Sequence, residues 1–130
     1  MTATVECEIK LHFNSPDEAR AAVLAIGATL LRGRRLQEDR LLDSGDGLLR
    51  HRTCLLRIRM EAGQDHLTYK GPLQSSTMKV QEELETSVGD GVMLLHLLEE
   101  LSFHVWFCYQ KYREECAHRD VIAAIDETPV

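Results

Sequence analysis

The feature that most constrains the fold is an alternation of charged and apolar residues that recurs in separate segments of the chain. In a β-strand, successive side chains point to opposite faces, so residues i, i+2 and i+4 share one face. The alternation therefore predicts β-strands that each carry an ionic face and an apolar or mixed face. The segments are Glu6-x-Glu8-x-Lys10, Arg57-x-Arg59-x-Glu61, Glu83-x-Glu85 and Lys111-x-Arg113.

Two helices are predicted between these strands. Ser15 is a good N-cap for a helix over 16–26, and Asp90 is a good N-cap for a leucine-rich helix over 91–101. A first strand at Val5–Leu11 precedes both helices, about four strands lie between them, and two strands follow. Because the links between strands are short, we expect mostly antiparallel pairing and an α+β fold.

The length and charge of the chain limit the classes of function. Its 130 residues suit a single domain over 1–130, and a net charge of −6 argues against general nucleic-acid binding. The segment from Arg32 to Arg59 nevertheless has eight arginines and four acids, a balance of +4, so the rest carries −10. A basic segment in an acidic protein favours a small anionic ligand.

The cysteines and the hydropathy pattern bear on the location of the protein. The four cysteines show no Cys-x-x-Cys spacing, so a zinc site is not expected. The sequence shows neither a secretory leader nor a long apolar run. We therefore expect a reduced, cytoplasmic protein that binds no membrane.

The ionic strand faces allow two interpretations. A single charged face is typical of the solvated side of an antiparallel sheet, and scattered faces would indicate a domain without a site. If the faces converge inside a barrel, six acids and six bases nearly balance, as burial of charge requires. Such a lumen suits a polyphosphate with a divalent metal, because arginine and lysine bind phosphate oxygens and carboxylates bind Mg²⁺ or Mn²⁺. The set is Glu6, Glu8, Glu61, Glu83, Glu85 and Asp126 with Lys10, Arg57, Arg59, Lys70, Lys111 and Arg113.

The same segments resemble the CYTH domain, the superfamily of class IV adenylyl cyclases and triphosphate tunnel metalloenzymes. "ECEIK" is similar to the family's Glu-x-Glu-x-Lys signature. Further motifs follow in the family's order: "EDRLLD", "LLRIR", "LTYKGP", "VQEELET", "LEELSF", "YQKYRE" and "AIDE". The resemblance covers nearly all of the chain.

The resemblance implies an antiparallel, eight-stranded, tunnel-like β-barrel that binds a triphosphate. It implies that Glu6, Glu8 and Asp126 bind Mg²⁺ or Mn²⁺, and that Lys10, Glu83 and Glu85 take part in catalysis. It also implies phosphate contacts from Lys10, Arg57, Arg59, Lys70, Lys111 and Arg113. Family members hydrolyse tripolyphosphate, nucleoside triphosphates or thiamine triphosphate, or cyclise ATP to cyclic AMP, and the sequence leaves this choice open. A degenerate module that binds polyphosphate or nucleotide without turnover is the alternative.

The sequence departs from the family's pattern at two places. The family usually has arginine at the position of Gln81, which predicts one phosphate contact fewer. The sequence ends at "DETPV", where the family continues into a last strand with another Glu-x-Glu pair. We therefore expect an incomplete barrel: either the sequence is a fragment, or another chain completes it, with a homodimer as one option.

Overall fold

The computed structural model describes residues 2–74 and 79–128, which form seven β-strands and three α-helices. These are β1 (Thr2–Glu8), α1 (Pro16–Ala25), β2 (Thr29–Ser44), α2 (Leu48–His51), β3 (Leu55–Glu61), β4 (Gln64–Lys70), β5 (Lys79–Val88), α3 (Gly91–Glu100), β6 (Phe103–His118) and β7 (Val121–Glu127). The predicted order of strands and helices is confirmed, and so are the α+β class and the antiparallel pairing.

Two details of the predicted elements are wrong. The first strand ends at Glu8, so Lys10 lies beyond it and does not continue the alternation of Glu6 and Glu8. The four-residue helix α2 was not predicted, because so short a helix shows no periodicity. It forms because buried Asp43 accepts hydrogen bonds from the backbone N–H groups of Leu49 and Arg50, at 2.9 and 3.1 Å.

The predicted caps of the two longer helices are confirmed. Ser15 Oγ accepts a hydrogen bond from the Glu18 N–H at 3.1 Å at the start of α1. At the start of α3, Asp90 Oδ1 accepts from the Met93 N–H at 3.0 Å. α1 and α3 have ten residues each, and in the part of the chain that the structure describes no helix has the length and hydropathy needed to span a membrane.

The strands form one antiparallel sheet in the order β1-β5-β4-β3-β2-β6-β7. The chain divides into two compact units, and the long strands β2 and β6 run through both. The first unit comprises the chain up to Ile9 together with Glu38–Tyr109. It contains β1, β5, β4, β3, α2, α3 and the adjoining parts of β2 and β6. Its fully buried apolar residues include Leu42 and Ile58.

The second unit comprises Lys10–Gln37 and the chain from Gln110 onward. Here α1 contacts β7, and β7 pairs with β6. The small core of this unit consists of Ala19, Ala28, Cys116 and Ile125, against which Val23 packs.

Candidate functional site

The strand registers of the first unit place most of the predicted polar residues on one face of the sheet. Arg57 lies opposite Thr68, and Thr68 lies opposite Glu85. By the same pairing, Lys70 lies opposite Glu83. The alternation along each strand then assigns the following predicted residues to this polar face: Glu6, Glu8, Arg57, Arg59, Glu61, Lys70, Glu83 and Glu85.

One end of the polar face is an acidic group around a lysine. Lys70 Nζ donates a hydrogen bond to Glu6 Oε1 at 2.8 Å and lies 3.8 Å from Glu83 Oε2. Each of these side chains is only partly exposed, by 15% for Lys70, 26% for Glu6 and 19% for Glu83. Three strands therefore place two carboxylates within 4 Å of one ammonium group, which is hydrogen-bonded to Glu6.

The two carboxyl groups of this acidic group have pKa values that move in opposite directions. A hydrogen bond with Glu6 raises the pKa of Glu83 to about 7, and burial and the charge of Glu6 add to the rise. Burial opposes ionisation of Glu6, but hydrogen bonding with Glu83, Glu8 and Lys70 outweighs it and holds the pKa of Glu6 well below its usual range. Below about pH 7 the pair thus holds one proton, carried by Glu83.

The middle of the polar face contains a buried arginine–aspartate pair. Arg59 donates from Nε and Nη2 to the two carboxylate oxygens of Asp39 at 2.8 and 2.7 Å, and the Asp39 side chain is fully buried. Burial opposes ionisation of Asp39, yet the bonds and charge of Arg59, aided by a hydrogen bond from Tyr109, lower the pKa of Asp39. Burial, followed by the charge of Asp39 and the hydrogen bond to it, raises the pKa of Tyr109. Arg59 is thus held in a fixed orientation.

Arg57, two residues earlier on the same strand, has different surroundings. It is 9% exposed, and its hydrogen bond to Thr68 Oγ1 is long, at 3.4 Å. Within residues 2–74 and 79–128, its Nε atom has no hydrogen-bond partner. Thr68 itself donates to Glu85 Oε1 at 2.8 Å. Burial, followed by the charge of Arg59, lowers the pKa of Arg57. A buried guanidinium with an unused Nε donor fits an oxyanion.

Gln81, where the resembled family has arginine, is hydrogen-bonded to the backbone. It is buried, and its Nε2 donates to the Gly71 carbonyl oxygen at 2.8 Å. The Gly71 N–H in turn donates to the Glu82 carbonyl oxygen at 2.8 Å. Gln81 therefore stabilises the chain where it leaves β4.

The second unit brings together three other predicted residues. Arg113 donates from Nε and Nη2 to the two carboxylate oxygens of Asp126 at 2.7 and 2.8 Å, and Lys111 Nζ lies 3.2 Å from Asp126 Oδ2. Burial opposes ionisation of Asp126, but the bond and charge of Arg113, with the charge of Lys111, lower its pKa to about 2. In this structure Asp126 is therefore the counter-ion of two cations.

Other charged residues of the second unit form ion pairs of their own. Arg35 pairs with Glu115, and Arg34 pairs with Glu127 at 3.1 Å while its guanidinium lies 3.8 Å from the centre of the Tyr112 ring. Lys10 is exposed and lies between β1 and α1. The catalytic role predicted for Lys10 thus stays a prediction.

Sequence reasoning missed Asp39, Thr68 and Tyr109 as members of the site. The alternation gives no signal for Asp39, because its neighbours Glu38 and Arg40 are also charged, and its burial is apparent only in the structure. No local signal marks Thr68 or Tyr109, because each gains its partner only when separate strands pair.

The comparison with known proteins gives the family. The model of the CYTH domain matches residues 4–130. The chain belongs to the CYTH domain family. A relative of this CYTH domain, "Putative adenylate cyclase MJ0240" of Methanocaldococcus jannaschii, is 28% identical over 123 residues, which are 95% of this chain and 70% of that protein.

Solved structures share the fold of this CYTH domain. The PH1819 protein from Pyrococcus horikoshii OT3 aligns with a TM-score of 0.75 and 23% identity over 97% of this chain and 71% of that one. A protein from Hippeastrum, HpAC1, described as a putative adenylyl cyclase with a dominant triphosphatase activity, aligns with a TM-score of 0.70 and 18% identity over 98% of this chain and 72% of that one. These likenesses confirm the predicted fold class.

Proposed function

We propose that this CYTH domain binds the triphosphate group of a small molecule and, with Mg²⁺ or Mn²⁺, catalyses phosphoryl transfer. The observation that carries the proposal is Arg57, which is buried on the polar face with its Nε donor unused in the described part of the chain. Burying a cation without a hydrogen-bonded counter-ion is costly, so such an arrangement is stabilised when an anion binds. A phosphate oxygen supplies that anion and matches the guanidinium geometry.

Among residues 2–74 and 79–128 no three acidic, histidine or cysteine side chains are already placed to hold a metal ion, so a divalent cation would draw its carboxylates together as it binds. Glu6, Glu8 and Glu83 offer oxygen donors only, which is the donor set that Mg²⁺ and Mn²⁺ prefer, and Mg²⁺ sites commonly use one or two carboxylates plus substrate phosphates. When bound, the metal would neutralise charge on the phosphates. Lys70, bonded to Glu6, would keep an ammonium group beside them. The proton held by Glu83 would leave as the metal binds.

The named relatives support the same class of reaction. One is called a putative adenylate cyclase, and one is described as having a dominant triphosphatase activity. Both reactions break a bond within a triphosphate and differ in the attacking oxygen, which is water in hydrolysis and a ribose hydroxyl in cyclisation. The choice between them, the phosphate contacts of Lys111 and Arg113, a cytoplasmic location and a homodimer remain predictions.

The experiment compares two arginine variants. Purified chain is titrated with tripolyphosphate by calorimetry, and release of phosphate, pyrophosphate and cyclic AMP from tripolyphosphate and ATP is followed with Mg²⁺ or Mn²⁺. Losing one charge-assisted hydrogen-bonding group is worth about 1.5–3 kcal/mol, so Arg57→Gln should weaken binding by at least about tenfold. The control Arg52→Gln removes the same charge from an exposed side chain just before β3 and should change binding little. Equal effects of the two variants would contradict the proposal.

A second candidate function is binding without turnover. Two side chains favour it, because their polar atoms already have partners within the protein. Asp126 is paired with two cations, and Gln81 is hydrogen-bonded to a carbonyl group. Saturable binding of tripolyphosphate with no product from any of the substrates above would establish this candidate over the enzyme.

A further inference from the structure

Two arginines of one strand face the same side of the sheet but differ in what holds them. Arg59 is bonded through its Nε–Nη2 edge to Asp39, which lies directly opposite it in the pairing of β2 with β3. Arg57 has no hydrogen-bonded carboxylate among the residues that the structure describes, and it donates only the long hydrogen bond to Thr68. The two guanidinium groups are therefore not equivalent as anion receptors.

The charge balance shows what Asp39 does. Arg57 and Arg59 repel one another, and Asp39 is the carboxylate that attracts both. Tyr109 donates a further hydrogen bond to Asp39, which fixes the carboxylate while Arg59 occupies both of its oxygens. The Arg59–Asp39 pair is close to neutral as a unit, so the charge of Arg57 is balanced less directly, by the field of Asp39 and of Glu85, and not by a hydrogen-bonded carboxylate.

Resting on the proposed function, we infer that Asp39 is a positioning residue. It occupies the Nε–Nη2 edge of Arg59, so that Arg57, whose Nε donor is unused in the described part of the chain, is the arginine of β3 that offers its Nε side to the triphosphate. Asp39 thereby sets both the place of the anion on β3 and an upper limit on how tightly it is held. A site with both edges open would hold a polyanion more tightly in the ground state and less well aligned for reaction.

The inference predicts that removing the charge of Asp39 strengthens the binding of tripolyphosphate. A purely structural role of Asp39 predicts the opposite, weaker binding. Asp39→Asn keeps the shape of the side chain but removes its charge, which opens Arg59 and leaves two positive charges unbalanced. Tripolyphosphate should then bind at least about tenfold more tightly at low salt, and the rise in Tm that it causes should exceed that of the wild type. The kcat for triphosphate cleavage should fall together with KM, because the gain is made in the ground state.

Two further variants isolate the cause. Asp39→Glu keeps the charge and should return both affinity and thermal shift toward the wild type. Glu99→Gln removes one negative charge from an exposed side chain of α3 in the same unit and should leave affinity unchanged. Weaker binding by Asp39→Asn in a folded chain, with Glu99→Gln unchanged, would overturn the inference. A wild-type chain that binds no tripolyphosphate would overturn the proposed function and this inference together. The variant result above, with a wild type that does bind, would overturn this inference alone.

Discussion

The proton shared by Glu6 and Glu83 gives a prediction that needs no substrate. Glu83→Gln replaces the protonated carboxyl group by a neutral amide that can still donate to Glu6. In the wild type, the pKa of Glu83 is raised from 4.5 to about 7, so protonated Glu83 favours the folded chain. That contribution is fully present below pH 4.5 and is lost as the pH rises through about 7.

The magnitude follows from the size of this rise. Each pKa unit is worth about 1.4 kcal/mol, so the rise amounts to at most about 3.5 kcal/mol for a side chain that is 19% exposed. The amide does not ionise, so Glu83→Gln should be close to the wild type in stability at pH 4.5 and more stable at pH 8. Lys70, beside both carboxyl groups, is present in both proteins and does not change this sign.

The assay is urea unfolding at a series of pH values between 4.5 and 8, with the free energy of unfolding of the variant compared with that of the wild type. Glu82→Gln, at the neighbouring exposed position of β5, is the matched control and should show a difference that does not depend on pH. The reasoning is refuted if Glu83→Gln is less stable than the wild type at pH 8, or if its difference from the wild type stays constant across the range.

Three further predictions concern the framework of the first unit. Asp43→Asn should lower the free energy of unfolding by about 2 kcal/mol near pH 7, because hydrogen bonds from the start of α2 outweigh burial and hold the Asp43 pKa at about 2. This loss should shrink as the pH falls from about 4 toward 2, which urea unfolding in that range would measure. Ala62→Asn should raise Tm slightly and Gly63→Ala should lower it, since both residues of this two-residue turn have positive φ, 48° and 77°, which asparagine and glycine tolerate better than alanine. Ile58→Ala, at a fully buried position, should cost about 2–5 kcal/mol in urea unfolding, whereas Leu97→Ala on the exposed side of α3 should cost far less.

The polar face of the first unit could be predicted from the sequence because it depends on strand periodicity alone. Arg57, Arg59 and Glu61 alternate with apolar residues, and the structure places all three on one face. The partner of each charge could not be predicted, since it depends on register. Asp39 meets Arg59 only because the connection through α2 sets the pairing of β2 with β3.

The end of the first strand shows a second limit of periodicity. The spacing of Glu6, Glu8 and Lys10 is that of one strand face, yet β1 ends at Glu8. Pairing with β5 extends from Thr2 to Glu8, and strand pairing rather than alternation decides where a strand ends. The metal and catalytic roles predicted for these three residues stay predictions.

The open edge of Arg57 also governs how this chain should be handled at the bench. Phosphate, sulfate and citrate buffers contain oxyanions of the kind that a guanidinium group binds bidentately. If they occupy the position beside Arg57, they compete with any triphosphate and stabilise the folded chain by a free energy that grows with the logarithm of their concentration above Kd. Purification and kinetics in a zwitterionic buffer with chloride as counter-ion would report the affinity of the chain for its ligand rather than its affinity relative to the buffer.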